Sequence, residues 1–424
     1  MPYNPLPLLI TVAGLYLLVK LRLFFVLHPI RTLKLGLGAL GTRDKIASFT
    51  LALAGTLGVG NVFGVAVGII IGGAGSVFWL FVSAIFSSVI KYSEVTLAAD
   101  NLSGRGGGMF YAIKHSFTRT GNTLSRVYAI ACLCLALIMG ASFQIHTVGA
   151  TAAQIFNTPP AFILIIFIIS VLFVILNGRK TISKITLFVI PLTTVIYIIM
   201  TCTVIFSRFD AIPTLTGQII KGAFSTDSAL GGAIGFLFSR ALSEGYSRGI
   251  LSNEAGAGTS TIAHTSVDVA VPAQRGVLGI FEVFFDTTLL CMLTAYAVLL
   301  SVPDPSVYSG GMSLILAALD GSLGRASPVL VLICVLAFAY STVVCWYYYG
   351  QECIKQLTGR VGNFYYIIAF ISSLVIGTFL EERWLVILSD VLLLILTALT
   401  LPTIIKNSDR IKHLSESSGL LRPR

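Results

Sequence analysis

Apolar runs of about twenty residues follow one another along almost the whole chain, the length a helix needs to cross about 30 Å of hydrocarbon. They fall at 7–28, 46–73, 75–99, 125–148, 160–177, 184–207, 229–250, 272–302, 325–350, 361–380 and 383–405, and predict eleven membrane-spanning helices. Little chain is left between them for a separate soluble domain. The stretch 161–176 is nearly all apolar and carries no chemistry. The first run has neither a basic region before it nor a small-residue cleavage site before Lys20 and Arg22, so it reads as a retained helix, not a signal peptide.

Two runs break this uniformity. The second holds Gly55, Gly58, Gly60, Asn61 and Gly64 within ten residues, and each glycine costs a helix about 1 kcal/mol relative to alanine. An interrupted or closely approached helix is expected there. The seventh carries Arg240, Glu244, Gly245, Arg248 and Gly249 and then enters Ser252-Asn-Glu-Ala-Gly-Ala-Gly258, so it too should be discontinuous. With the first helix (7–28) set aside, these two lead successive groups of five, 46–207 and 229–405, followed by a tail at 406–424. An odd number of helices per group inverts the second relative to the first. Interrupted helices at matching positions of inverted repeats mark a binding site near the bilayer midplane. The plainer reading is close helix packing through small residues.

Composition agrees with a lipid solvent: 56% of residues are hydrophobic, 11% are charged, and the mean hydropathy is +0.91. The formal charge of +10 follows topology. With the amino terminus outside and the carboxyl terminus in the cytoplasm, the inner loops collect Arg31, Lys34, Arg43, Lys45, Lys114, Arg119, Arg126, Arg179, Lys180, Lys184, Lys406, Arg410 and Lys412. Charges so dispersed do not form a nucleic-acid surface. The seven cysteines lie mostly inside apolar runs and show neither a disulfide framework nor metal-ligand spacing.

The segments Ala54-Gly-Thr-Leu-Gly-Val-Gly-Asn61, Gly72-Gly-Ala-Gly75, Lys91-Tyr-Ser-Glu94, Ser252-Asn-Glu-Ala-Gly256, Glu282-Val-Phe-Phe-Asp286-Thr and Trp346-Tyr-Tyr-Tyr-Gly350 resemble the alanine/glycine:cation symporter family. That resemblance implies the leucine-transporter-type fold: an all-α polytopic membrane protein of ten core helices in two inverted repeats, here with one added helix. It also implies uptake of a small neutral amino acid, alanine or glycine, with Na+ as coupling ion, and neither an organic cofactor nor an obligate protein partner. The chain departs from the family pattern at Val59, where a hydroxyl residue is usual, at Ala74 and Gly108, where prolines are usual, and at Ala141 in place of asparagine.

Asn61, in the glycine-rich break, is expected either to line a site or to tie off freed backbone, with Gly58 and Gly60 permitting close approach. Ser341 and Thr342 are adjacent hydroxyls in an apolar span, suited to a hard cation or bonded back to their own helix. By resemblance they face a sodium site completed by the carbonyls of Gly55 and Gly58. Phe338, Thr342 and Trp346 recur at i, i+4, i+8 on one helix face, which the resemblance turns toward substrate, as it does Gln144. Glu282 and Asp286 are ionisable residues in an apolar span, open to proton relay, to pairing with Arg275 or to capping loop amides. Glu254 reads as a brace near the inner gate. Arg240, Glu244 and Arg248 read as mutually neutralising, and His264 with Asp268 as structural. A proton-coupled or uncoupled relative is the rival reading. No nucleophile–base pair or metal-ligand set supports an intramembrane enzyme, and a channel would need a continuous polar lining.

Overall fold

The computed structural model describes residues 5–102, 107–156, 160–224, 240–267, 270–359 and 362–421. These are helical throughout their regular structure. The helices used below are α1 Leu6–Lys20, α2 Pro29–Ala39, α3 Arg43–Thr56, α4 Phe63–Gly72, α5 Gly75–Asp100, α6 Gly121–Phe156, α7 Ala161–Leu176, α8 Arg179–Ser207, α9 Arg240–Asn253, α10 Thr261–His264, α11 Pro272–Ser301, α12 Gly311–Leu323, α13 Ser327–Thr358, α14 Asn363–Gly377, α15 Glu382–Lys406 and α16 Ser408–Ser417.

Among the described residues, six helices are long and apolar enough to cross a membrane, and the bent pair α3–α4 makes a seventh. The shorter apolar helices α1, α7 and α14 match three further expected runs. The span 229–250 is described from Arg240 onward. On α7 the outward side chains Phe162, Ile165, Ile166, Ile169 and Phe173 are all exposed, as a lipid-facing surface requires.

The extra first helix is shorter than the expected 7–28. It ends at Lys20 because Arg22 and Leu23 take left-handed backbone, φ +55 and +48. The tail 406–424 contains α16, which lies across the ends of α1 and α5. Lys20 Nζ meets Asp409 Oδ1 at 2.6 Å, Arg410 forks onto Asp100 at 2.8 and 2.9 Å, and Tyr92 Oη meets Ser415 Oγ at 2.6 Å. The Lys20 hydrogen bond and charge hold the Asp409 carboxyl below its ordinary range. Three other helices, α2, α12 and Ile212–Ala223, lie in stretches too short or too amphipathic to register as spans.

Helix α5 packs along α9 and α11, and α13 packs along α6, α8 and α3. The space between these two sets of helices holds both backbone breaks.

Candidate functional site

Helix α3 ends at Thr56, a 3-10 turn covers Val59–Asn61, and α4 leaves at 54° to α3. The break frees backbone groups that must find partners inside the membrane. The Gly58 N–H donates to Asn61 Oδ1 (3.1 Å), and the Val59 N–H reaches Gln144 Oε1 (3.5 Å). The Leu57 carbonyl accepts from Thr342 Oγ1 (3.4 Å), and the Gly55 carbonyl from Trp346 Nε1 (3.2 Å). Four sequence candidates from three elements therefore converge on one break. A Cβ on Gly58 would stand 3.0 Å from Thr342 Oγ1 and 3.5 Å from Gln144 Oε1, so glycine there lets both side chains close in.

A cavity with space for about one water molecule opens against this break. Gly55, Gly58, Gly60, Gln144 and Thr342 line it, as do Thr56, Met139, Phe143, Leu251, Ser252, Val386 and Ser389, which sequence reading did not select. The other candidates stand behind this wall. Asn61 is buried and turns its amide nitrogen to Asp286. Phe338 packs edge-on against Tyr197, with ring centroids 5.9 Å apart. Trp346 meets Tyr349 at 5.3 Å beneath Gly55. Ser341 donates to the carbonyls of Ala337 (2.8 Å) and Phe338 (3.0 Å), which leaves its oxygen lone pairs uncommitted.

The second break follows α9. Of the run expected to be discontinuous, the described part from Arg240 to Asn253 is a continuous helix, in which Arg248 pairs with Glu244 at 2.9 Å one turn away. The chain leaves helical form only at 254–260, where Glu254, Gly256 and Gly258 take φ of +55, +92 and +73. Gly256 and Gly258 sit in the left-handed region that side chains resist.

Asp286 joins the two breaks. It lies in a π-helical turn of α11, Phe284–Cys291, and is 0% exposed. Its Oδ1 accepts from Asn61 Nδ2 (2.6 Å), and its Oδ2 from Ser252 Oγ (2.8 Å) and Thr287 Oγ1 (2.7 Å). Thr287 in turn accepts from Asn253 Nδ2 (2.9 Å). No basic side chain pairs with Asp286 among the described residues. Its neighbour Glu282 goes elsewhere: Oε1 lies 3.3 Å from Lys91 Nζ, and Oε2 2.8 Å from His264 Nε2. Arg275, considered as a partner for these carboxylates, donates to the His264 carbonyl and to Ser48. Glu254 accepts from Thr259, within its own loop. Asp268, considered with His264, lies outside the described residues.

This arrangement offers glycine amides, a carboxamide and hydroxyls beside an apolar wall, a set that recognises a small molecule with both charged and apolar parts. Its oxygens are hard donors, suited to an alkali cation.

The model of the sodium:alanine symporter family matches residues 2–415. The sodium/alanine symporter AgcS of Methanococcus maripaludis is 32% identical over 349 residues, 78% of this chain and 74% of that protein. The amino-acid carrier protein AlsT of Bacillus subtilis is 30% identical over 79% of this chain and 71% of its own length. An uncharacterized transporter of Haemophilus influenzae is 30% identical over 91% of this chain and 87% of that protein. Among solved structures, MhsT in complex with L-phenylalanine superposes with a TM-score of 0.58 at 17% identity, covering 89% of this chain and 90% of MhsT. The nucleobase-cation-symport transporter Mhp1 superposes with a TM-score of 0.55 at 12% identity, covering 82% of this chain and 74% of Mhp1. The fold is the leucine-transporter type.

Proposed function

Because this chain belongs to the sodium:alanine symporter family, and is thereby a multi-pass membrane protein and a secondary transporter of amino acids, we propose that it imports alanine or glycine together with sodium by alternating access. The observation that carries this reading is the cavity at the first break, with Gly58, Gly60, Gln144 and Thr342 on its wall. The name of the archaeal relative points to the same substrate and ion.

In this reading the amide group at Gly60 takes the substrate carboxylate, with Asn61, which holds the Gly58 N–H, fixing the turn that presents it. Gln144 and Thr342 supply polar contacts, and Phe338 and Trp346 back the wall so that only a small side chain fits. Sodium is held by the Ser341 and Thr342 hydroxyls with the carbonyls of Gly55 and Gly58. The Gly55 carbonyl has a second lone pair beyond the one facing Trp346. An ion shared by α13 and the break draws α13 toward α3 and orders the amide that meets the substrate. Ion and substrate then favour the same conformation, and each raises the affinity of the other by the same factor. The amino terminus faces outward and the carboxyl terminus the cytoplasm, by the distribution of loop Lys and Arg.

Uptake of labelled alanine and glycine into proteoliposomes tests this directly. An inward sodium gradient should drive accumulation. A second reading, coupling to protons, is favoured by Asp286, a buried carboxylate with no basic partner among the described residues. Accumulation that follows an imposed proton gradient and ignores sodium would establish that second reading instead.

Ser341→Ala and Thr342→Ala should each raise the half-saturating sodium concentration, by about five- to thirtyfold for the loss of a ligand contributing about 1–2 kcal/mol. Both variants should express normally, since neither substitution disturbs helix packing. Unchanged sodium dependence in the pair would remove these hydroxyls from the ion site.

A further inference from the structure

The two breaks satisfy their backbone in opposite ways. At the first, the Gly60 N–H has no hydrogen-bond partner among the described residues and borders the cavity. A Cβ on Gly60 would find no atom within 4 Å. At the second, the Gly256 and Gly258 N–H groups converge on a single acceptor, Glu94 Oε1, at 2.7 and 3.1 Å. Left-handed glycines two residues apart that point their N–H groups at one spot form an anion-binding nest, while the Ala257 N–H between them donates to the Glu254 carbonyl. Here the anion is part of the protein, from the middle of α5 and fully buried.

Lys91 lies one turn before Glu94 on the same face of α5, and its Nζ reaches Ser260 Oγ at 3.1 Å. One helix face thus grips the loop near both ends. The Ala257 carbonyl is taken by Tyr128 Oη at 2.8 Å, so the polar backbone at the centre of the loop is used internally. Four residues before Gly256, at the end of α9, Ser252 stands on the cavity wall.

We infer that Glu94 is a positioning residue for substrate binding. Its carboxylate fills the nest of the second break, holds the loop 254–260 and so sets Ser252 and Leu251 against the cavity, leaving the first break as the place where a ligand carboxylate is received. The inference rests on the proposed function only for the identity of that ligand.

The test compares Glu94→Gln, which keeps an oxygen able to accept both N–H groups, with Glu94→Ala, which empties the nest. Hydrogen exchange of the purified proteins reads the loop without reference to substrate. Peptides covering 251–261 should exchange at least tenfold faster in E94A and within threefold of wild type in E94Q, while peptides covering 55–62 stay unchanged. Alanine uptake should show a KM raised at least tenfold in E94A and restored to within threefold by E94Q. Equal exchange in both variants and wild type would overturn the inference, as would a drop in maximal rate with KM unmoved. Where E94A yields no folded protein, E94Q decides alone: a tenfold rise in its KM or its loop exchange overturns the inference, and near-wild-type values sustain it. Absence of alanine uptake by wild-type protein would count against the proposed substrate and leave the exchange result to judge Glu94.

Discussion

Asp286→Asn should cut gradient-driven uptake at least tenfold while leaving a protein that purifies normally. The side chain it replaces is wholly buried and is the tie between the two broken helices, to Asn61 on one side and Ser252 on the other. Asparagine keeps that shape. Its oxygen can still accept from Asn61, and its amide can donate to Ser252 and Thr287, whose hydroxyls are free to turn. What it removes is the ionisable group, and an ionisable group in the membrane with only dipoles as its partners is costly enough to imply a use. Asp286→Ala removes the tie as well: the Asn61 amide keeps only the backbone carbonyl of residue 286, and the Ser252 and Thr287 hydroxyls lose their acceptor, at a cost of about 1–3 kcal/mol, so uptake should be abolished. The measurements are initial rates in proteoliposomes and thermal stability in detergent. Uptake by D286N within threefold of wild type would reduce the carboxylate to a pin for which an amide serves equally well.

The second large effect concerns stability. Lys91 and Glu282 are both 0% exposed and meet at 3.3 Å, so truncating the cation strands a buried charge. Lys91→Met should destabilise the protein by about 3–5 kcal/mol. Removing both charges in Lys91→Met with Glu282→Gln should recover much of that loss, because the stranded carboxylate is gone and the amide still meets Ser260 and His264. Unfolding midpoints in detergent for the two single variants and the double variant give the coupling. A double variant no more stable than K91M would show that the pair contributes nothing beyond its packing.

How legible each part was depends on the range over which its cause acts. Helix α7 was read to within a residue at either end, because contact with lipid makes every turn apolar. The first break was visible from glycine density alone. The second falls at the glycine-rich end of the run expected to be discontinuous, after Asn253, while Glu244 and Arg248 within that run pair along one helix face and leave the helix intact. Helices α2 and α12 escaped notice because a window tuned to about twenty apolar residues passes over amphipathic or short segments. The site partners are set by tertiary packing. Asn61 meets Asp286 across 225 residues of chain, and Glu94 meets Gly256 across 162, with nothing local to announce either. The shared face of Phe338, Thr342 and Trp346 was legible, but α13 touches several neighbours, so Thr342 reaches the cavity while Phe338 packs on α8.

The π-helical turns at Ile138–Phe143 and Phe284–Cys291 bear on how this architecture tolerates insertion and deletion. A π turn is an α-helix holding one surplus residue, so it divides its helix into two segments whose faces are set independently. In α6 the surplus sits just before Gln144, and in α11 it contains Asp286. Losing one residue at either place would give a smoother helix and rotate everything on one side of it by about 100°. The backbone would gain regular hydrogen bonds as Gln144 turned away from Val59, or Asp286 from Asn61. Helical regularity and site geometry are thus opposed at these two turns, and a homologue with a gap there would have to rebuild its cavity from a different set of side chains.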